Sequence, residues 1–123
     1  AGLLGERLRR HGASTWLVNT GWTGGPYGVG SRISIAYSRA VIKAALSGAL
    51  DRVPYDTDPA FGFQVPRSCP GVPAEVLNPR HTWPEPSAYD AAAMSLAGRF
   101  TANFGQYADQ APAEVAAAGP RAD

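Results

Sequence analysis

The residues best suited to chemistry in this chain stand close together, in the run Gly21-Trp22-Thr23-Gly24-Gly25-Pro26-Tyr27-Gly28-Val29-Gly30-Ser31-Arg32. Its glycines reach backbone angles that a β-carbon forbids, and close approach of a ligand is one reason to need them. From Gly25 onward the glycine spacing matches a Walker A loop. Such a loop ends in a lysine that contacts the β- and γ-phosphates and a hydroxyl that binds magnesium, whereas Ser31 and Arg32 stand here. A phosphate cradle is therefore rejected. Gly28 and Gly30 begin a dinucleotide fingerprint, but its third glycine would fall on Ile33, which argues against a Rossmann site. The pattern by itself leaves a tight connection between strand and helix as an equal reading.

Other reactive side chains are isolated. His11 and His81 have no second ligand three or four residues away, so both read as surface histidines and no metal site is assigned to this chain. Cys69 is the only cysteine; no intrachain disulfide is possible, and a small packed thiol is the expected role. A reducing, cytoplasmic compartment follows from that reading. Arg80, beside Pro79, is expected to bridge to a carboxylate outside this chain. Asp56 and Asp58, set among prolines, read as a solvated loop. Trp16, Trp22 and Trp83 are packing anchors, since no basic stripe accompanies them. With 11 basic and 10 acidic residues the net charge is +1, too small a field to indicate nucleic acid or an anionic membrane as partner. No apolar run approaches the ~20 residues of a membrane span, and no signal core follows a basic flank.

Several elements must hold the glycine run in place. Leu3, Leu4 and Leu8 on one side of Gly2 to Arg10, with Glu6, Arg7, Arg9 and Arg10 on the other, predict a helix that Gly12 ends. Thr15-Trp16-Leu17-Val18 reads as a short buried strand. After the run, Ile35, Ile42 and Leu46 recur at helical spacing, with Gly48 as the stop. Helix, strand, glycine loop and helix make an α/β signature. The stretch from Asp51 to Pro86 is broken by prolines, with one strand expected at Phe61 to Val65, and is expected to wrap over neighbouring structure. Ser87 as N-cap, with Asp90 three residues on, opens a helix carrying Tyr89, Ala93, Leu96, Phe100, Phe104 and Tyr107 on one face. A final helix is expected from Ala113 to Ala118. Ala1 in place of methionine, a helix starting at once, and 11 prolines and 14 glycines largely in the middle lead to the expectation that the chain is part of something longer.

The longer string is more specific than its glycines. Leu17-Val18-Asn19-Thr20 through Gly30, then Arg32-Ile33-Ser34-Ile35 and Arg39, resembles the ATP-dependent phosphoenolpyruvate carboxykinases. Phe61-Gly62-Phe63, Cys69-Pro70-Gly71-Val72-Pro73, Glu75-Val76-Leu77-Asn78-Pro79-Arg80 and Thr82-Trp83 resemble the same family in the same order. The resemblance implies that residues 1–123 are the carboxy-terminal segment of the family's nucleotide-binding mixed α/β domain, an incomplete domain whose partner is the remainder of the same polypeptide. It implies a gluconeogenic carboxy-lyase that converts oxaloacetate and ATP to phosphoenolpyruvate, ADP and carbon dioxide with magnesium or manganese. By position in the family string, Arg32, Ile33 and Ser38 would bind the adenine of ATP. A guanidinium stacks on a purine, an isoleucine packs on its face, and a hydroxyl bonds a nitrogen. Ser31, Ala36 and Ser38 depart from the family's usual lysine, polar residue and threonine, which bears on affinity. The family's phosphate loop and metal ligands resemble nothing in this chain, so the isolated 123 residues are expected to be inactive. The alternative is a non-catalytic nucleotide-binding or regulatory module derived from that domain.

Overall fold

The computed structural model describes residues 2–121. Helix α1 (Gly2–His11) ends as expected where Gly12 adopts φ 59°, a left-handed turn open to glycine without steric cost. Beyond it the structure departs from the expected strand at residues 15–18. That stretch belongs to no strand. A strand exists through its ladder to a neighbour, and among the described residues no main-chain group of residues 13–19 bonds to another main-chain group. The two-residue alternation survives even so: Trp16 and Val18 are half-buried while Thr15, Leu17 and Asn19 are exposed.

The glycine run then closes a hairpin instead of joining a strand to a helix. Strands β1 (Trp22–Thr23) and β2 (Ser31–Arg32) are antiparallel, with Trp22 opposite Arg32 and Thr23 opposite Ser31. Ser34 turns the chain into α2 (Ile35–Leu46) by accepting a hydrogen bond from the Ala36 amide at 3.2 Å on its Oγ, the ordinary task of an N-cap serine. Gly48 ends the helical path at φ 73°, as the sequence indicates. Ile35, Ile42 and Leu46, whose spacing announces this helix, are exposed. Its inward face is instead Val41, Ala44 and Ala45, packed on a cluster of Ala44, Leu50 and Cys69. Leu50 sits in the short 3-10 turn Ala49–Arg52 and is almost wholly enclosed. Cys69 is a packed thiol, in accord with its reading.

A second antiparallel hairpin joins β3 (Tyr55–Thr57) to β4 (Gln64–Pro66). The strand expected at residues 61–65 thus begins later. The Asp58 carboxylate accepts from the Ala60 and Phe61 amides at 3.0 and 2.6 Å, and Gly62 lies at φ 70°, so the preceding residues form a turn. Asp56 accepts from Arg67 Nε at 2.8 Å. Asp56 thus stands on β3 and not in a loop, which corrects that expectation, whereas Asp58 does lie in the connecting loop, where it caps the turn.

Helices α3 (Ala74–Leu77), α4 (Pro79–Thr82) and α5 (Pro86–Phe104) follow. The N-cap of α5 is Glu85, not Ser87, because Pro86 already has the fixed φ and missing N–H that suit a first helical position. Asp90 does not close a capping box; it receives Arg80 in a two-pronged pair at 2.8 and 3.0 Å. Arg80 therefore has its carboxylate within the chain, another correction. Ala93 and Ala97 are the buried positions of α5, and Tyr107 lies past its end. Helix α6 (Ala113–Ala117) stands where expected, one residue shorter. The architecture is mixed α/β, with its apolar centre where α2, the 3-10 turn and Cys69 meet.

Candidate functional site

Asn19 shapes the entry to the first hairpin. Its Oδ1 accepts from the Gly21 amide at 2.9 Å and its Nδ2 donates to the Trp22 carbonyl at 3.1 Å, the self-bonding that makes asparagine a turn residue. At the tip, Val29 and Gly30 amides both donate to the Pro26 carbonyl at 3.0 Å. A β-carbon on Gly30 would stand 2.6 Å from the carbonyl oxygens of both Thr23 and Gly25. Glycine is needed there for contact of backbone with backbone.

The rear of the hairpin is held by Thr82, fifty-eight residues from Gly24. Thr82 Oγ1 accepts from the Gly24 amide at 3.1 Å and from the Thr23 hydroxyl at 3.0 Å, and donates to the Pro79 carbonyl at 2.7 Å. One donor and two acceptor positions are what a hydroxyl has, so this oxygen is fully engaged. Ile33 leaves the hairpin with its amide donating to the Gly21 carbonyl at 2.8 Å.

A cavity of about 1000 Å³ opens beside this assembly. Ile33 and Ser38 line it, together with Tyr37 and Val41 of α2, Trp16 from the unpaired stretch and Thr23 of β1. The first turn of α2 brings Ser38 beside Ile33, its amide donating to the Ser34 carbonyl at 3.1 Å. Arg32 is not in that lining; it is exposed on β2. Of the three residues singled out from the sequence, the structure gathers Ile33 and Ser38 on one wall and leaves Arg32 on the hairpin next to them.

Tyr37 and Val41 were not among the expected site residues, although they stand four residues apart in α2, the spacing that stacks side chains on one helical face. Thr82 gave no signal beyond its place in a family string, since its partners lie far away in sequence.

Two ionisable groups, Tyr55 on the cavity wall and Cys69 in the adjoining core, have raised pKa values. Burial pushes the Tyr55 hydroxyl above its usual range, assisted by the charges of Asp51 and Cys69, and that hydroxyl donates to the Leu50 carbonyl at 2.8 Å. Burial likewise raises the Cys69 thiol. Neither is prepared to act as base or nucleophile near neutral pH. Among the described residues no three His, Cys, Asp or Glu side chains are grouped to hold a metal ion, so the donor set does not fit a metal and none is placed on this chain. The arrangement suits a planar, weakly polar group packed against Ile33 with a hydroxyl at its edge.

Comparison with known proteins gives these elements a context. A family model described as phosphoenolpyruvate carboxykinase matches residues 1–75. The chain is 59% identical over 120 residues to phosphoenolpyruvate carboxykinase (ATP) 2 of Moorella thermoacetica, an alignment covering 98% of this chain and 23% of that protein. It is 57% identical over 123 residues to phosphoenolpyruvate carboxykinase (ATP) of Thermus thermophilus, covering 100% of this chain and 23% of the relative. The corresponding protein of Rubrobacter xylanophilus is 49% identical over 120 residues, with 98% and 23% covered. The chain thus spans less than a quarter of the length of these curated relatives.

Proposed function

The chain belongs to the phosphoenolpyruvate carboxykinase family, and from that premise we propose that it supplies the adenine wall of the ATP site in an enzyme converting oxaloacetate and ATP to phosphoenolpyruvate, ADP and carbon dioxide. The observation that carries this reading is that Ile33, just before the N-cap of α2, and Ser38, in its first turn, line the same cavity. Ile33 offers an apolar face to a purine, Ser38 a hydroxyl to a ring or exocyclic nitrogen, and Arg32 a guanidinium plane from the adjoining strand. All three roles concern binding and orientation. Phosphate and divalent metal belong, on this reading, to the remainder of the polypeptide, because the glycine run has no Walker lysine and the described residues hold no metal-binding cluster. ATP, oxaloacetate and their products are the small-molecule partners, and the cytoplasm is the compartment. Among the described residues no helix is long and apolar enough to cross a membrane.

The test uses a full-length carboxykinase in which this segment replaces the matching part of the Moorella thermoacetica relative. Arg32→Ala should raise the KM for ATP roughly tenfold through loss of one cation–π contact, with turnover at saturating ATP little changed. Lost turnover at saturating ATP with unchanged nucleotide affinity would remove Arg32 from the adenine site.

A further inference from the structure

Among the described residues, Thr82 supplies the only hydrogen bonds that tie residues 20–33 to any residue outside 19–33. The approach is close: a β-carbon on Gly24 would stand 3.3 Å from the Thr82 carbonyl oxygen, and Gly24 itself lies at φ 81°. Thr23, whose hydroxyl donates to Thr82, faces Ser31 across the ladder, next to the pair of Trp22 and Arg32. The position of Thr82 is therefore passed to Arg32 over a single ladder step. Thr82 is in turn the last residue of α4, which at four residues is too short to be stable by itself. Its place depends on what holds α4. The Asn78 side chain accepts from the Arg80 amide at 3.1 Å and caps the turn, and Trp83, just past its end, meets Tyr89 of α5 edge to face at 5.7 Å between centroids. Between these two contacts the Arg80 guanidinium reaches both carboxylate oxygens of Asp90 on α5. A two-pronged pair of this kind fixes orientation as well as distance.

We propose that Arg80 and Asp90 are positioning residues for ATP: their pair sets α4 against α5 and, through Thr82, sets the hairpin that presents Arg32 to the base. Neither residue lines the cavity, so the pair acts on the nucleotide through the threonine and not by contact. The inference rests on the adenine reading given above. It assigns to α4 and α5, whose residues lie about fifty positions beyond Arg32 in sequence, a part in nucleotide affinity that their own place in the chain does not announce.

The test is made in the full-length chimera described above. Asp90→Ala should raise the KM for ATP about threefold, the scale of an exposed ion pair, with turnover at saturating ATP and the KM for oxaloacetate unchanged. It should also speed amide exchange at Gly24 in the absence of nucleotide. The same substitution made together with Thr82→Val should add almost nothing to the effect of Thr82→Val alone, because the link is already cut. An unchanged KM for ATP in Asp90→Ala would overturn the inference, as would effects of Asp90→Ala and Thr82→Val that multiply independently, or a KM for oxaloacetate that rises in step with that for ATP. The two readings fail separately. If Arg32→Ala weakens ATP binding and Asp90→Ala does not, the positioning role alone is lost. If Arg32→Ala leaves ATP affinity unchanged while Asp90→Ala still loosens Gly24, the adenine reading fails and takes the ATP role of the pair with it, and only the mechanical link from the pair to the hairpin stands.

Discussion

The first hairpin is fastened by a few polar atoms, whereas the region around Leu50 is fastened by apolar contact shared among many side chains. In the hairpin, Thr82 Oγ1, the Asn19 amide and the Pro26 carbonyl do most of the holding, and each engages at least two partners. Around Leu50, Ala44 and Cys69 are enclosed, and Trp16, Val41, Ala49, Val53, Val72 and Leu77 press on them. Hydrogen bonds are directional and fix a geometry, while apolar burial is non-directional and supplies most of the free energy. The comparison therefore separates a region that sets where Ile33 and Ser38 stand from one that keeps the segment folded.

That separation can be broken by substitution in the full-length chimera. Leu50→Ala should have the largest effect on stability, roughly 2–5 kcal/mol for an enclosed leucine, measured by denaturant unfolding, with ATP affinity of the folded protein retained. Affinity lost in parallel with stability would show that the two regions are one unit. Gly30→Ala should act the other way. Its β-carbon meets two backbone carbonyls, so the hairpin must open at a cost of about 1–3 kcal/mol, and the KM for ATP should rise by more than the shift in unfolding midpoint explains. An affinity equal to that of the unsubstituted chimera would mean that the hairpin does not position the wall.

Thr82→Val should be milder. It keeps the shape but leaves the Gly24 amide without its acceptor, a loss of roughly 1–3 kcal/mol, seen as faster amide exchange at Gly24 with the Leu50 region unmoved. The smallest effect concerns pH. Because burial raises the Cys69 thiol, its stabilising contribution is complete below the thiol's unfolded pKa and disappears as pH rises through the folded one. Stability should therefore fall on the alkaline side, and Cys69→Ala should flatten that limb. An unchanged alkaline slope in this variant would assign the effect to Tyr55, raised in the same direction.

What could be read from the sequence follows the same division. Helices α1, α2 and α6 were legible because their ends are local: Gly12 and Gly48 stop the first two at positive φ, and such signals need only neighbouring residues. The strand expected at residues 15–18 was not realised, since no described main-chain group pairs with that stretch and pairing is not a local property. The start of α5 was read two residues late, at Ser87, because Pro86 already suits a first helical position and makes Glu85 the cap. At the site, the family string pointed to Ile33 and Ser38, while Tyr37, Val41 and the Thr82 contact depend on how α2 and α4 pack. The Arg80–Asp90 pair escaped notice for a related reason: it links α4 to α5 across ten residues and a turn.

The engagement of Thr82 also marks where this loop can be redesigned. Its hydroxyl, the carbonyls that crowd Gly30 and the amide of Gly24 form a closed base, so diversity introduced there would scramble the frame. Tyr27 and Val29, 89% and 69% exposed at the hairpin tip, lie outside that base and offer side chains to be varied. A library of hairpin variants would therefore begin with Tyr27 and Val29, and keep the threonine and the glycine constant.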